Sequence, residues 1–179
     1  IGITSDLSSY PRGFEFSDDG KYLLASSHSK IYYYSVSESG ISLLWNTDHK
    51  DSSCCSIYET DVSAERSYMA VIRRSGSSSD PMRRGILFFG KDSSTPLWSY
   101  HAQDDMLSVA FSADGEYIAV GSGDDKVFLF DKDSSTPLWS YSTGNDVPSV
   151  AISADGEYIV AGSVDKKIYF FNKDNSTPL

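Results

Sequence analysis

Cys54 and Cys55 are the only cysteines of this chain, and they are neighbours. Two adjacent thiols supply neither a disulfide framework nor the four ligands of a structural zinc site. As free side chains they behave as small hydrophobes with latent redox chemistry. The second chemical concentration is basic. Residues 73–84 read RRSGSSSDPMRR, so Arg73, Arg74, Arg83 and Arg84 gather four of the fifteen basic residues in one short stretch. A forked guanidinium suits carboxylates, phosphates and sulfates. Two readings stay open: a site for an anionic ligand or acidic partner, or charge complementarity with the acidic surface of the protein itself.

The remaining chemistry-bearing residues are dispersed. His28, His49 and His101 stand far apart in the chain, with no ligand spacing between them. Asp104-Asp105 and Asp124-Asp125 read as turn residues, because aspartate caps turns with its own side chain. No Gly-rich phosphate loop, nucleophile elbow or calcium-loop spacing is recognisable. No cofactor, metal or catalytic residue is assigned. Asn175-Ser176-Thr177 has the form of a glycosylation acceptor.

What positions these residues is a repeat. Lys91–Tyr100 and Lys132–Tyr141 are the same ten letters, KDSSTPLWSY, and KDNSTPL starts again at Lys173. The offset is 41 residues both times. A second motif alternates with the first. It reads SADGEYIAVGS from Ser112, SADGEYIVAGS from Ser153, SDDGKYLLASS from Ser17 and, degenerate, SAERSYMAVI from Ser63. Four repeats result, marked by Tyr22, Tyr68, Tyr117 and Tyr158.

Each repeat predicts four short strands. In the last one, the chain runs from Val147 to Ser153 and turns at Asp155-Gly156. It returns over Tyr158–Gly162, turns at Val164–Lys166, and extends again over Lys167–Asn172. The Asp-Gly pair suits a tight hairpin, where positive φ is needed. No stretch carries a 3.6-residue apolar period, so helices should be almost absent. A period near 40 residues with four strands per unit predicts an all-β fold, a β-propeller of four four-stranded blades. The blades fall at about 7–47, 53–101, 106–142 and 147–179, and residues 1–6 align with a fourth strand that would complete the last.

The stretch SVAFSADGEYIAVGSGDDKVFLFD, Ser108 to Asp131, resembles a WD repeat. The Gly-His dipeptide of that family is missing, and its Trp-Asp has become Phe130-Asp131 and Phe171-Asn172. The bonding network built on those residues is therefore not expected. PLWSYSTGNDVPSV, Pro137 to Val150, resembles the repeats of pyrroloquinoline-quinone-type propellers, with a Trp in each blade. That second resemblance gives Cys54-Cys55 a meaning, since quinone-dependent dehydrogenases carry a ring of adjacent cysteines against their cofactor. The carboxylates such enzymes need cannot be placed here.

Propellers of these kinds usually close as rings of seven or eight blades, so this chain reads as half of an eight-bladed ring. Either two chains form a homodimer, or the rest of a longer chain supplies the other blades. The second blade departs most from the repeat. Trp45 to Trp98 spans 53 residues instead of 41, with extra residues near 49–53 and 74–84. Both insertions fall on connections that reach the same face of a propeller, and insertions confined to one face often mark a binding face. His49, Cys54 and Cys55 flank the first, the four arginines the second. These seven residues are the candidate partner-binding set.

Composition narrows the function classes. The net charge is −10 and the isoelectric point about 4.6, which disfavours binding of nucleic acid by the bulk surface. No apolar run approaches the length of a membrane span. The leading expectation is a non-enzymatic scaffold or binding module for a protein or ligand. A quinoprotein-like dehydrogenase fragment and a purely structural repeat are the alternatives. The acidity, the Asn175 acceptor and the quinone-type resemblance lean towards an extracellular or cell-surface location.

Overall fold

A computed structural model of the chain describes residues 10–17, 19–28, 30–48, 55–64, 67–75 and 84–179. Fifteen strands fill this region, and no helix occurs among the described residues. The strands are β1 (Pro11–Phe16), β2 (Tyr22–Ser27), β3 (Lys30–Ser37), β4 (Gly40–Asp48), β5 (Cys55–Val62), β6 (Tyr68–Ser75), β7 (Gly85–Gly90) and β8 (Trp98–His101). They continue as β9 (Met106–Phe111), β10 (Tyr117–Ser122), β11 (Lys126–Asp131), β12 (Trp139–Ser142), β13 (Ser149–Ile152), β14 (Tyr158–Gly162) and β15 (Ile168–Asn172). All pair antiparallel in sequence order, giving sheets β1–β4, β5–β8, β9–β12 and β13–β15. The fold is an all-β propeller, each sheet a blade. The fourth blade has three strands among the described residues instead of the four expected, and residues 1–6 lie outside them.

The first hairpin of each blade explains the second sequence motif. The Ser17, Ser63, Ser112 and Ser153 hydroxyls accept the amides of Tyr22, Tyr68, Tyr117 and Tyr158 at 2.9–3.2 Å. The serine amides return the bond to the tyrosine carbonyls. Where the turn keeps its Asp, Asp19, Asp114 and Asp155 accept from the same hydroxyls and from the amide two residues on. Such side-chain capping is what Ser and Asp offer a turn.

Strand alternation sends one set of side chains to the preceding blade and the other to the following one. In β10 and β11, Ile118, Val120, Phe128 and Phe130 pack back onto Ala70, Ile72, Ile86 and Phe88 of the second blade. Ala119, Val127 and Leu129 pack forward onto Ile159, Ala161 and Phe171. The seam between the first two blades is built alike, from Leu24, Ile31 and Tyr33 against Met69, Val71 and Phe89. Each large apolar side chain so buried contributes about 1.5–3 kcal/mol.

The outermost strand adds a polar latch. Trp45 and Trp98 donate their indole N–H to the carbonyls of Lys91 and Lys132 in the next blade, both at 2.8 Å. Trp139 repeats this across the last seam, onto the carbonyl of Lys173. Trp45 and Trp98 lie between aromatics of both blades, Trp98 at 4.6 Å from Phe88 and 5.7 Å from Phe130, and Trp139 lies against Phe171. The Trp of one KDSSTPLWSY copy thus grips the Lys that opens the next copy.

Candidate binding face

The end of β6, the start of β7 and the β8–β9 connection meet at one end of the second blade. Arg74 is the penultimate residue of β6, opposite Ser56, and its Nε lies 2.9 Å from Oδ2 of Asp105. Its guanidinium also sits 4.2 Å from the ring centroid of Tyr58. Tyr58 is the extra residue of a β-bulge on β5, which re-aims its side chain. Arg84 stands at the base of β7, where its carbonyl accepts the Ala102 amide. Its Nη1 donates to Oδ1 of Asp104 at 3.1 Å, and its Nε stands 3.4 Å from Oδ1 of Asp105 as an ion pair without hydrogen-bond alignment. Most of the Arg84 side chain is covered.

Two of the candidate arginines are therefore turned onto the protein's own aspartates. The Asp104-Asp105 turn, read as a cap, is also the acidic partner of the basic hairpin. Arg73 sits one residue earlier on β6, paired in register between Ile57 and Gly85, and is partly buried. Arg83, His49 and Cys54 lie outside the described residues, and Cys55 opens β5 with its side chain outside them. His28 and His101 are exposed on different blades. Among the described residues no group of three or more His, Cys, Asp or Glu side chains is placed to hold a metal.

The same end of the third and fourth blades carries a row of acidic turns. Asp124 is bridged to Lys126 at 2.8 Å, and that hydrogen bond raises the lysine's pKa. Asp165 accepts from the Tyr169 hydroxyl at 2.6 Å and from the amides of Gly144 and Lys167. These donors, the tyrosine first, hold its carboxyl below the usual range. Asp125 and Lys166 take the positive φ of the tight β10–β11 and β14–β15 turns, at 65° and 73°.

Sequence reasoning missed a second acidic group, on the innermost strands. Glu59 and Asp61 lie on β5 where β9 has Ser108 and Ala110, and β13 has Ser149 and Ala151. Burial pushes Asp61 up to about 6 and Glu59 up to about 7. The signal was present in the register of the repeats, which puts two carboxylates where the later blades have small neutral residues.

Residues 94–131 and 135–172 each match the family model of the WD domain, G-beta repeat. Each match starts before an outer strand and ends at Asp131 or Asn172, the close of the third strand of the next blade. No curated protein matches the chain in sequence. One similar solved structure is a chain in a crystal structure of a mitotic checkpoint complex, with a TM-score of 0.76 and 20% identity over 97% of this chain. The present chain spans about half of that one, 51% of its length. At such identity the likeness speaks to the fold alone. No helix among the described residues is long and apolar enough to cross a membrane.

Proposed function

We propose that these four blades, two of them matching the WD repeat, are part of a larger ring that serves as a non-enzymatic protein-interaction scaffold. One observation carries the larger ring. Val127 and Leu129 of the third blade are fully buried by the fourth, whereas their counterparts Ile168 and Phe170 are 79% and 44% exposed. The chain nevertheless starts the missing strand. The Leu179 amide donates to the Phe170 carbonyl at 2.8 Å, as Leu138 does to Leu129 and Leu97 to Phe88. At the other end, Phe14 of β1 is exposed where its counterpart Val109 of β9 is buried. A bare apolar blade face, and a blade with three strands among the described residues, call for a neighbouring blade.

That neighbour is either a second copy, whose residues 1–6 would supply the fourth strand, or further blades of one longer chain. The half-length match to the checkpoint-complex chain supports a ring of about twice this size. Partners would dock on the insertion-bearing face, beside the Asp104-Asp105 turn that holds Arg74 and Arg84. The quinoprotein alternative rests on a cysteine pair outside the described side chains, and nothing in the fold adds to it.

Light scattering on a sizing column tests the ring. A mass near twice 19.7 kDa supports closure by two copies. A monomer that stays soluble with Ile168 and Phe170 exposed would overturn closure by a second copy. For the scaffold, replacing residues 76–82 by a two-residue turn should abolish capture of a protein partner and leave the melting temperature unchanged.

A further inference from the structure

The innermost strands of the first three blades open with the same irregularity. One residue is left without a partner between Pro11 and Gly13 on β1, between Ile57 and Glu59 on β5, and between Met106 and Ser108 on β9. Those residues are Arg12, Tyr58 and Leu107, and the 41-residue offset puts Pro148 at the same place just before β13. A bulge re-aims its extra side chain out of the alternation of the strand. The three bulges lie opposite the ends of β2, β6 and β10, which is the end of the propeller that carries the Asp104-Asp105 turn. Leu107 and Pro148 are uncharged. Arg12 and Tyr58 are not alike, but both are exposed, Tyr58 to 46%, and their strands pack side by side.

Arg74 adds a second cation to this place. Its Cζ lies 4.2 Å from the centroid of the Tyr58 ring, and its Nε is held by Asp105 at 2.9 Å. The Asp105 bond takes Nε and leaves both terminal amino groups of Arg74 without a partner among the described residues. The Arg12 guanidinium has no ion pair or hydrogen bond among them either. Arg84, by contrast, is covered and spent on Asp104 and Asp105. A guanidinium fixed at Nε by a carboxylate and on one side by a ring is aimed before any ligand arrives, which lowers the cost of binding. What it still offers is the two-pronged end that matches a carboxylate. In a chain with 25 acidic and 15 basic residues, two arginine ends left open are cations that the protein's own surface has not neutralised.

We infer that Arg12, Tyr58 and Arg74 form a docking lip for a short acidic segment of a partner protein. Carboxylates of the segment meet the open ends of Arg12 and Arg74, and its apolar stems lie on the Tyr58 ring. The inference rests on the reading of this end of the propeller as the binding face. The tyrosine makes the lip a protein site, because exposed tyrosine beside arginine is the combination that carries binding energy at protein interfaces. A net charge of −10 holds off long polyanions, nucleic acid among them, and leaves a short run of acids as the occupant. With Leu107 and Pro148 at the matching places, the third and fourth blades add no charge, so the lip ends at the second blade.

Fluorescence anisotropy with fluorescein-labelled hexaglutamate, and hexaglutamine as its uncharged control, tests the lip in low salt. The chain should bind hexaglutamate and not hexaglutamine, and added salt should weaken the complex. Arg12→Gln and Arg74→Gln should each weaken binding about tenfold, the loss of one charge-assisted pair. Tyr58→Leu should weaken it about threefold, because Arg74 loses the ring that aims it. Arg12→Gln breaks no bond of the described fold, so its melting temperature should stay that of the original chain, and its effect on binding reads the lip alone. Hexaglutamate bound no better than hexaglutamine overturns the lip, and so does binding unchanged by Arg12→Gln and Arg74→Gln. If shortening residues 76–82 abolishes capture of a protein partner while hexaglutamate fails to bind, the binding face stands and the acidic occupant falls.

Discussion

The indole N–H of Trp139 donates to the carbonyl of Lys173 at 2.7 Å, joining an outer strand to the turn that follows the third strand of the next blade. Trp98 and Lys132 stand in the same relation, again 34 residues apart. Trp98→Phe keeps a ring against Phe88 and Phe130 but loses this donor, and should cost about 1 kcal/mol. Trp98→Ala also removes the stacking and should cost about 3 kcal/mol. Urea titration separates the two: a Trp98→Phe variant as stable as the original chain would show that the indole bond contributes nothing, and equal losses that the stacking does not.

The ion pairs of the basic hairpin should be measurable as a coupling. Arg74 and Asp105 are partly exposed, so a double-mutant cycle with Arg74→Ala and Asp105→Ala should return about 0.5–1 kcal/mol, falling with added salt. Arg84→Ala should destabilise more than Lys91→Ala, whose ammonium pairs with the exposed Asp92. Zero coupling would return Arg74 to the pool of residues available to a partner.

Overall stability should peak in mild acid. Asp61 and Glu59 have folded pKa values raised to about 6 and about 7, so their contribution is fully present below the unfolded values and is lost as pH rises through 6 to 7. Asp155 and Asp165 are shifted the other way, so their contribution is lost as pH falls below the usual carboxylate range. The urea midpoint should be higher at pH 5.5 than at pH 8. A midpoint that rises from pH 5.5 to pH 8 would contradict the environment described for Glu59.

Two glycines of the same motif should respond differently to alanine. Both have positive φ, +67° at Gly20 and +72° at Gly156. A Cβ at Gly20 meets nothing within 4 Å, whereas one at Gly156 falls 2.6 Å from Cδ2 of Tyr117 in the preceding blade. Gly20→Ala should cost about 1 kcal/mol of backbone strain. Gly156→Ala should cost clearly more, because the tyrosine has to move. Thermal melts of the two variants test the order.

Closure should depend on the bare face of the fourth blade. Ile168→Asp places a charge where Val127 of the third blade is fully buried, so it should halve any ring built from two copies without lowering the melting temperature of the single chain. An unchanged mass would move the partner elsewhere.

The blades were legible because the repeat is written in the residues that make it. Ser112, Asp114, Gly115 and Tyr117 are the turn bonds themselves, and Trp98 and Lys132 are both ends of a latch. The destination of the arginines was not legible. Arg74 and Arg84 find Asp104 and Asp105 some 20 to 31 residues on, through a meeting of two connections that no local pattern encodes. Glu59 and Asp61 were hidden differently, since an acid on an inner strand looks like any surface residue until the next blade covers it. The fourth strand of the last blade, expected from residues 1–6, falls outside the described residues.

Every indole latch points forward along the chain. Trp45, Trp98 and Trp139 each reach for a carbonyl that comes later in the sequence, and none reaches back. On a translating ribosome an outer strand must therefore wait for the next 34 residues or more before its tryptophan can close, an interval of roughly two to seven seconds at ordinary elongation rates. Throughout synthesis the newest blade would always be the loose one, ready to take a wrong neighbour with the same ten letters. Arrested nascent chains ending before and after Lys173 would show it, through the accessibility of Trp139 to a fluorescence quencher. Equal quenching in the two would mean that the blade settles without its latch.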